Sequence, residues 1–181
     1  MVYAEAVGPA ACIGRARVVP LRNTGAAISP FSAVLILQGI ETLARRVDRI
    51  SDNALAVAQH LRRHAAVKWV NYAALEDRAE YPLVQRYLSG KASGILTFGV
   101  PGGREGGARF LDALKLFTRL VNIGDVRSLA THPASTTQRQ LSPEELARTG
   151  VAEDTVRLSG GIEHIDDLLA DLDQALAQVT R

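Results

Sequence analysis

Residues 94–120 read GILTFGVPGGREGGARFLDALKLFTRL. Gly94 to Val100 alternates apolar and small residues as a strand does, and Pro101 to Gly103 breaks it with turn-forming residues. From Glu105 to Leu120 the apolar positions Phe110, Leu114 and Phe117 recur at helical steps, which predicts an amphipathic helix. A strand, a turn and a helix in succession are the elementary unit of an α/β domain.

The same alternation extends in both directions. Upstream, Ser29-Pro30 is a capping residue followed by a first-turn proline. Leu37, Ile40, Ala44, Val47, Ile50, Ala54, Val57 and Leu61 then predict one amphipathic helix or a kinked pair. Val67 to Tyr72 reads as a strand and Pro82 to Leu88 as a short helix. Downstream, Ser128–His132 and Thr155–Ser159 read as strands. Ser142 and Glu145 form a capping box, and Ile165–Val179 is a last helix with Leu168, Leu169, Leu172 and Leu176 inward. The expected architecture is α/β, a small sheet covered by helices. Residues 1–28 stand apart. Val18-Val19 suggests strand there, while Gly8-Pro9, Pro20 and Gly25 interrupt any long element.

Composition narrows the function classes. With 47% hydrophobic and 22% charged residues, 181 residues suffice for one packed domain. A net charge of +2 gives no field to draw the chain onto nucleic acid or a membrane. The longest apolar run, about Phe31 to Leu37, is far short of a membrane span, and the N-terminus lacks the order of a signal peptide. Cys12 is the single cysteine, which excludes an internal disulfide and suits a reducing, cytoplasmic compartment. It reads as a small buried hydrophobe.

Four constellations carry chemistry, and each has a plain structural alternative. His60 and His64 have the i, i+4 spacing of a metal clamp, but no third ligand is evident and a solvated basic face is preferred. Arg45, Arg46, Arg49, Arg62 and Arg63 interleave with Glu41, Asp48 and Asp52, again a solvated face. Pro101–Gly107 occupies the place of a phosphate loop but lacks its Gly-Lys-Ser/Thr ending, so it reads as a turn. Arg157, between Val156 and Leu158, points alone to one face of its strand. It is either a carboxylate-binding fork or half of an ion pair with Asp125, Asp154 or Glu163, and both readings stand open.

The stretches Asn122–Thr137 (NIGDVRSLATHPASTT), Gln140–Glu145 (QLSPEE) and Val156–Glu163 (VRLSGGIE) resemble the cysteine/methionine-metabolism family of pyridoxal-phosphate (PLP) enzymes. Ile28–Ala33, Leu37–Leu43, Trp69–Tyr72, Leu96–Gly99 and Leu114–Phe117 are similar to its O-acetylhomoserine sulfhydrylase branch, so the resemblance runs from about Val18 to Ala177. It implies a PLP cofactor, a homo-oligomeric transferase fold, and synthesis of homocysteine from O-acetylhomoserine and sulfide. By position, Arg157 would bind the substrate carboxylate, Asn122 would lie beside it, and Ser128 to Thr137 would shape the substrate rim. The family's Schiff-base lysine stands in a Ser-x-Thr-Lys context that Lys68, Lys91 and Lys115 all lack. The expectation is therefore a C-terminal domain over 29–181, with 1–28 a remnant of the bridge to a large PLP domain, and no catalytic residue in this chain. A catalytically silent partner-binding or regulatory module, or a degenerate fragment, is the alternative. Gln138, Gly160 and Arg46 depart from the family's usual His, Val and Leu-Arg-Met patterns.

Overall fold

The computed structural model describes residues 2–179, and the chain divides into two compact units, Met1–Leu43 and Ala44–Arg181. In the first unit the backbone is helical from residue 2 to residue 24. Short helices α1 (Val2–Val7), α2 (Ala11–Ala16) and α3 (Arg22–Thr24) are joined by a 3-10 turn at Gly8–Ala10 and a π turn at Arg17–Leu21. Val18 and Val19 are thus helical, not strand. Pro20 removes an N–H donor inside the run, and the wider π turn accommodates it. Gly25, at φ +65°, ends the run. Cys12 is exposed, contrary to expectation, because this unit buries none of its helical residues.

Helix α4 (Pro30–Glu41) starts where the cap predicts, with Ser29 Oγ accepting from Ser32 N at 3.1 Å. It carries Phe31, Val34, Leu35, Ile36 and Leu37 in exposed positions around its circumference. Thr42 ends it, and α5 (Leu43–Arg63) follows, so the helical text from 30 to 63 is a pair of helices.

The second unit is a five-stranded sheet packed with helices. The strands are β1 (Trp69–Asn71), β2 (Ile95–Gly99), β3 (Thr118–Arg119), β4 (Leu129–Thr131) and β5 (Thr155–Ser159), in the order β1-β2-β5-β4-β3. All pairings are antiparallel except β3 with β4. The remaining helices are α6 (Tyr81–Leu88), α7 (Gly103–Ala113), α8 (Pro143–Arg148) and α9 (Ile165–Val179). Leu96 and Phe98 of β2, Val156 and Leu158 of β5 and Ala130 of β4 turn one sheet face into the core. There they join Ala54, Val57 and Leu61 of α5, Phe110 of α7 and Leu168, Leu172 and Leu176 of α9. The capping box of α8 forms as read, with Ser142 and Glu145 exchanging bonds at 2.9 and 3.2 Å.

One helix is shorter than its periodicity predicts. α7 stops at Ala113, where Leu114 turns extended (ψ 139°), and the next residues lead into β3. The reason lies on α9. The buried carboxylate of Asp171 accepts from the backbone N–H groups of Lys115, Leu116 and Phe117 at 2.9, 2.9 and 3.1 Å. Three donors that a longer helix would satisfy internally are satisfied there instead.

Candidate functional site

On the face opposite the core, the register lines up Asn71, Thr97, Arg157 and Thr131 across β1, β2, β5 and β4. Directly opposed residues on neighbouring strands have Cβ atoms about 5 Å apart, so four polar side chains form one row centred on Arg157. A recess of about 270 Å³, lined in part by Asn71, Thr97, Ile95 and Glu80, opens at its β1 end.

Arg157 is half-buried, and one N–H of its guanidinium donates to the carbonyl oxygen of Asn122 at 3.2 Å. Its Nε is buried and has no hydrogen-bond partner among the described residues, and neither has the buried Oγ of Ser159, two residues along the same strand face. The three acids proposed as ion-pair partners are engaged elsewhere. Asp125 pairs with Arg127 at 3.1 Å, and the hydrogen bond from that guanidinium holds its carboxyl below the usual carboxylate range. Asp154 pairs with Lys68 at 3.2 Å. Glu163 takes the Ser128 backbone N–H at 2.6 Å and the Ser128 hydroxyl at 2.9 Å. Among the described residues Arg157 has no carboxylate partner, which favours a ligand-binding fork over a structural ion pair.

The other residues expected at the site fall in different places. Asn122 meets Arg157 through its backbone, while its exposed side chain accepts from Ile123 N at 2.9 Å. Ser128 is fully buried, and its Oγ also accepts from Gly161 N at 2.9 Å. Thr137 is exposed, and no hydrogen bond joins it to Arg157 among the described residues. Thr136 instead caps the turn, donating to the His132 carbonyl at 2.8 Å. His132 is fully buried with Nδ1 2.8 Å from Ser135 Oγ and Nε2 2.8 Å from the Glu153 carbonyl. That carbonyl can only accept, so Nε2 carries the proton, and burial pushes the imidazole pKa down.

Sequence reasoning missed the brace behind the site. Asn53 of α5 donates to the carbonyls of Gly161 and Glu163, each at 3.0 Å, so helix, loop and the end of β5 are tied by one buried polar network. Its only signal was Asn53 standing on the apolar face of α5.

Two further readings resolve here. His60 Nε2 lies 2.6 Å from Asp173 Oδ1 and His64 Nε2 3.9 Å from the same oxygen. No group of three or more metal-ligating side chains occurs among the described residues. Of Pro101–Gly107 only Pro101 and Gly102 form a turn; from Gly103 the segment is the first turn of α7, with Gly102 and Gly103 at φ +86° and +57° and Arg104 drawn to Glu153 at 3.4 Å.

The described residues do not fit covalent attachment of PLP. That requires a lysine that sheds its proton readily and faces a phosphate site. Lys91 is held by Asp52 and Asp48, the Asp52 hydrogen bond pushing its pKa up, the wrong direction. Lys68 is half-exposed in its pair with Asp154, and Lys115 is exposed at the surface.

Comparison with known proteins places this geometry. The chain is 49% identical over 173 residues to O-acetyl-L-homoserine sulfhydrylase 1 of Thermus thermophilus, a match covering 96% of this chain and 41% of the relative. It is 44% identical over 171 residues to L-methionine gamma-lyase of Pseudomonas putida, covering 94% and 43%. A Campylobacter jejuni structure that carries a pyridoxyl-lysine phosphate superposes with a TM-score of 0.84 at 44% identity, over 93% of this chain and 40% of that one. The chain thus spans about two fifths of the length of the curated relatives it matches. The profile of the Cys/Met metabolism PLP-dependent enzymes matches residues 7–177, and the chain belongs to that family.

Proposed function

We propose that this chain is the substrate-carboxylate-binding part of a PLP-dependent O-acetylhomoserine sulfhydrylase, and that it is inactive alone. The observation that carries the reading is Arg157: a guanidinium that has, among the described residues, no carboxylate partner and an unpartnered buried Nε, at the centre of a polar row. Such a fork suits the α-carboxylate of an amino-acid substrate. Asn122 and Thr137 would shape the rim above it, with Ser128 holding the rim from below. PLP would supply the electron sink for elimination at a carbon chain such as that of O-acetylhomoserine, and this chain would orient the substrate for it. Homocysteine would be the product, in a cytoplasmic homo-oligomer or in complex with a large PLP domain.

The chain alone and the chain supplied with the remaining three fifths of the Thermus thermophilus relative test this reading. PLP and O-acetylhomoserine should give acetate release only in the combined sample. A saturable aldimine absorbance band in the chain alone, lost on mutating one of Lys68, Lys91 or Lys115, would overturn the inactive-part reading. A combined sample that binds PLP yet never turns over would favour the silent, regulatory alternative.

A further inference from the structure

A second cavity lies away from Arg157, between α5, α6 and the segment joining β1 to α6. It is a groove of about 620 Å³, within the range that holds a small metabolite. One wall is a single helix face, with Leu55, Gln59, Arg62 and Arg63 at i, i+4, i+7 and i+8. Tyr81 and Gln85, also four apart, line the opposite wall. Ala74 and Leu75, both buried, form the floor, and Glu76 and Asp77 stand at the rim.

The charges in this groove are only half used. Arg62 is bound to Asp77 at 2.7 Å. Arg63 and Glu76 form no ion pair among the described residues. The groove therefore offers one unpaired guanidinium, one unpaired carboxylate and an apolar surface made by Leu55 on the wall and Ala74 and Leu75 on the floor. An anion alone would leave the carboxylate unmatched, and a cation alone would leave the guanidinium unmatched. A zwitterion satisfies both, and the floor asks for an aliphatic chain.

We propose that the groove binds a free α-amino acid with an unbranched apolar side chain. Arg63 takes the carboxylate, Glu76 the ammonium, and Leu55 and Leu75 the chain, with Gln59 and Gln85 within the groove as further hydrogen-bonding groups. This site is separate from the Arg157 row and stands whether or not Arg157 binds substrate.

The test is titration of the full chain with L-norleucine, read from backbone amide chemical shifts, alongside hexanoate and hexylamine as the two half-ligands. Saturable shifts at Gln59, Leu75 and Gln85 are expected, with each half-ligand bound at least about tenfold more weakly. Arg63→Gln and Glu76→Gln should each weaken norleucine about tenfold, the scale of one charge-assisted hydrogen bond. Arg157→Ala should leave these shifts unchanged. The proposal is overturned if no shift saturates, or if hexanoate binds as tightly as norleucine. It is equally overturned if the shifts cluster around β5 and vanish in Arg157→Ala.

Discussion

Replacing Arg157 with alanine separates the two roles this residue could play. Among the described residues its guanidinium makes one hydrogen bond, to an exposed carbonyl that water can satisfy in its absence, and no ion pair. Losing that bond costs about 1 kcal/mol of stability, or a fall in Tm of roughly 2–4 °C for a chain of this size. If the fork holds a substrate carboxylate, the loss in binding is larger, about 2–4 kcal/mol for a desolvated charged contact. That corresponds to a drop of roughly 30- to 1,000-fold in kcat/KM once the rest of a relative is supplied. Arg157→Lys should recover little of it, because an ammonium has no planar fork. Thermal melts of the chain and steady-state kinetics of the combined enzyme, on the same variants, give both numbers. A collapse in Tm with kcat/KM intact would show that Arg157 is a pillar of the fold, and the reasoning would fail.

Three further outcomes follow from the geometry. Asp171→Asn presents an amide N–H₂ to backbone donors and should cost about 3 kcal/mol by chemical denaturation, and near-neutral behaviour would refute the account of where α7 ends. Gly160→Ala should stabilise by about 0.4–1 kcal/mol, since an added Cβ meets Gly94 O, Ala54 and Ile50 only at 3.6–3.7 Å; the neighbouring Gly161→Ala should destabilise, because its Cβ would collide with Glu163 Oε2 and Val126 O. Burial lowers the His132 pKa below 6.5, so its contribution to stability is full above that value and is lost as pH falls from 6.5 through the folded value. Denaturant midpoints should therefore fall between pH 7.5 and pH 5, less steeply in His132→Gln, and identical slopes would place the acid sensitivity elsewhere.

The long periodic elements were legible because their apolar residues answer to one neighbour, the core. Leu168, Leu172 and Leu176 mark α9 without help from anything distant, and Ser142 with Glu145 is a local exchange of bonds. Arg157 was legible as a lone charge between Val156 and Leu158. What stayed hidden depends on partners far along the chain. β3 has two residues, too few for any period, and exists because Asp171 diverts the backbone 54 to 56 positions away. Ser128 was assigned to the rim by resemblance alone, and its own stretch gave no sign that its hydroxyl bonds to Glu163 and Gly161, 35 and 33 positions away. The helical path of residues 2–24 was missed because Pro20 and Gly8 read as breaks, whereas π and 3-10 turns absorb them.

The place of β5 in the sheet has a consequence for how the chain is made. It is the last strand in sequence but the middle one in space, with β2 on one side and β4 on the other. During synthesis β1 and β2 leave the ribosome as one hairpin-like half, and β3 and β4 as another. Neither half can be joined until residues 155–159 emerge. A nascent chain arrested before Thr155 should expose two unpaired inner edges and invite chaperones or aggregation, so truncation from the C-terminus should be punished abruptly and not residue by residue.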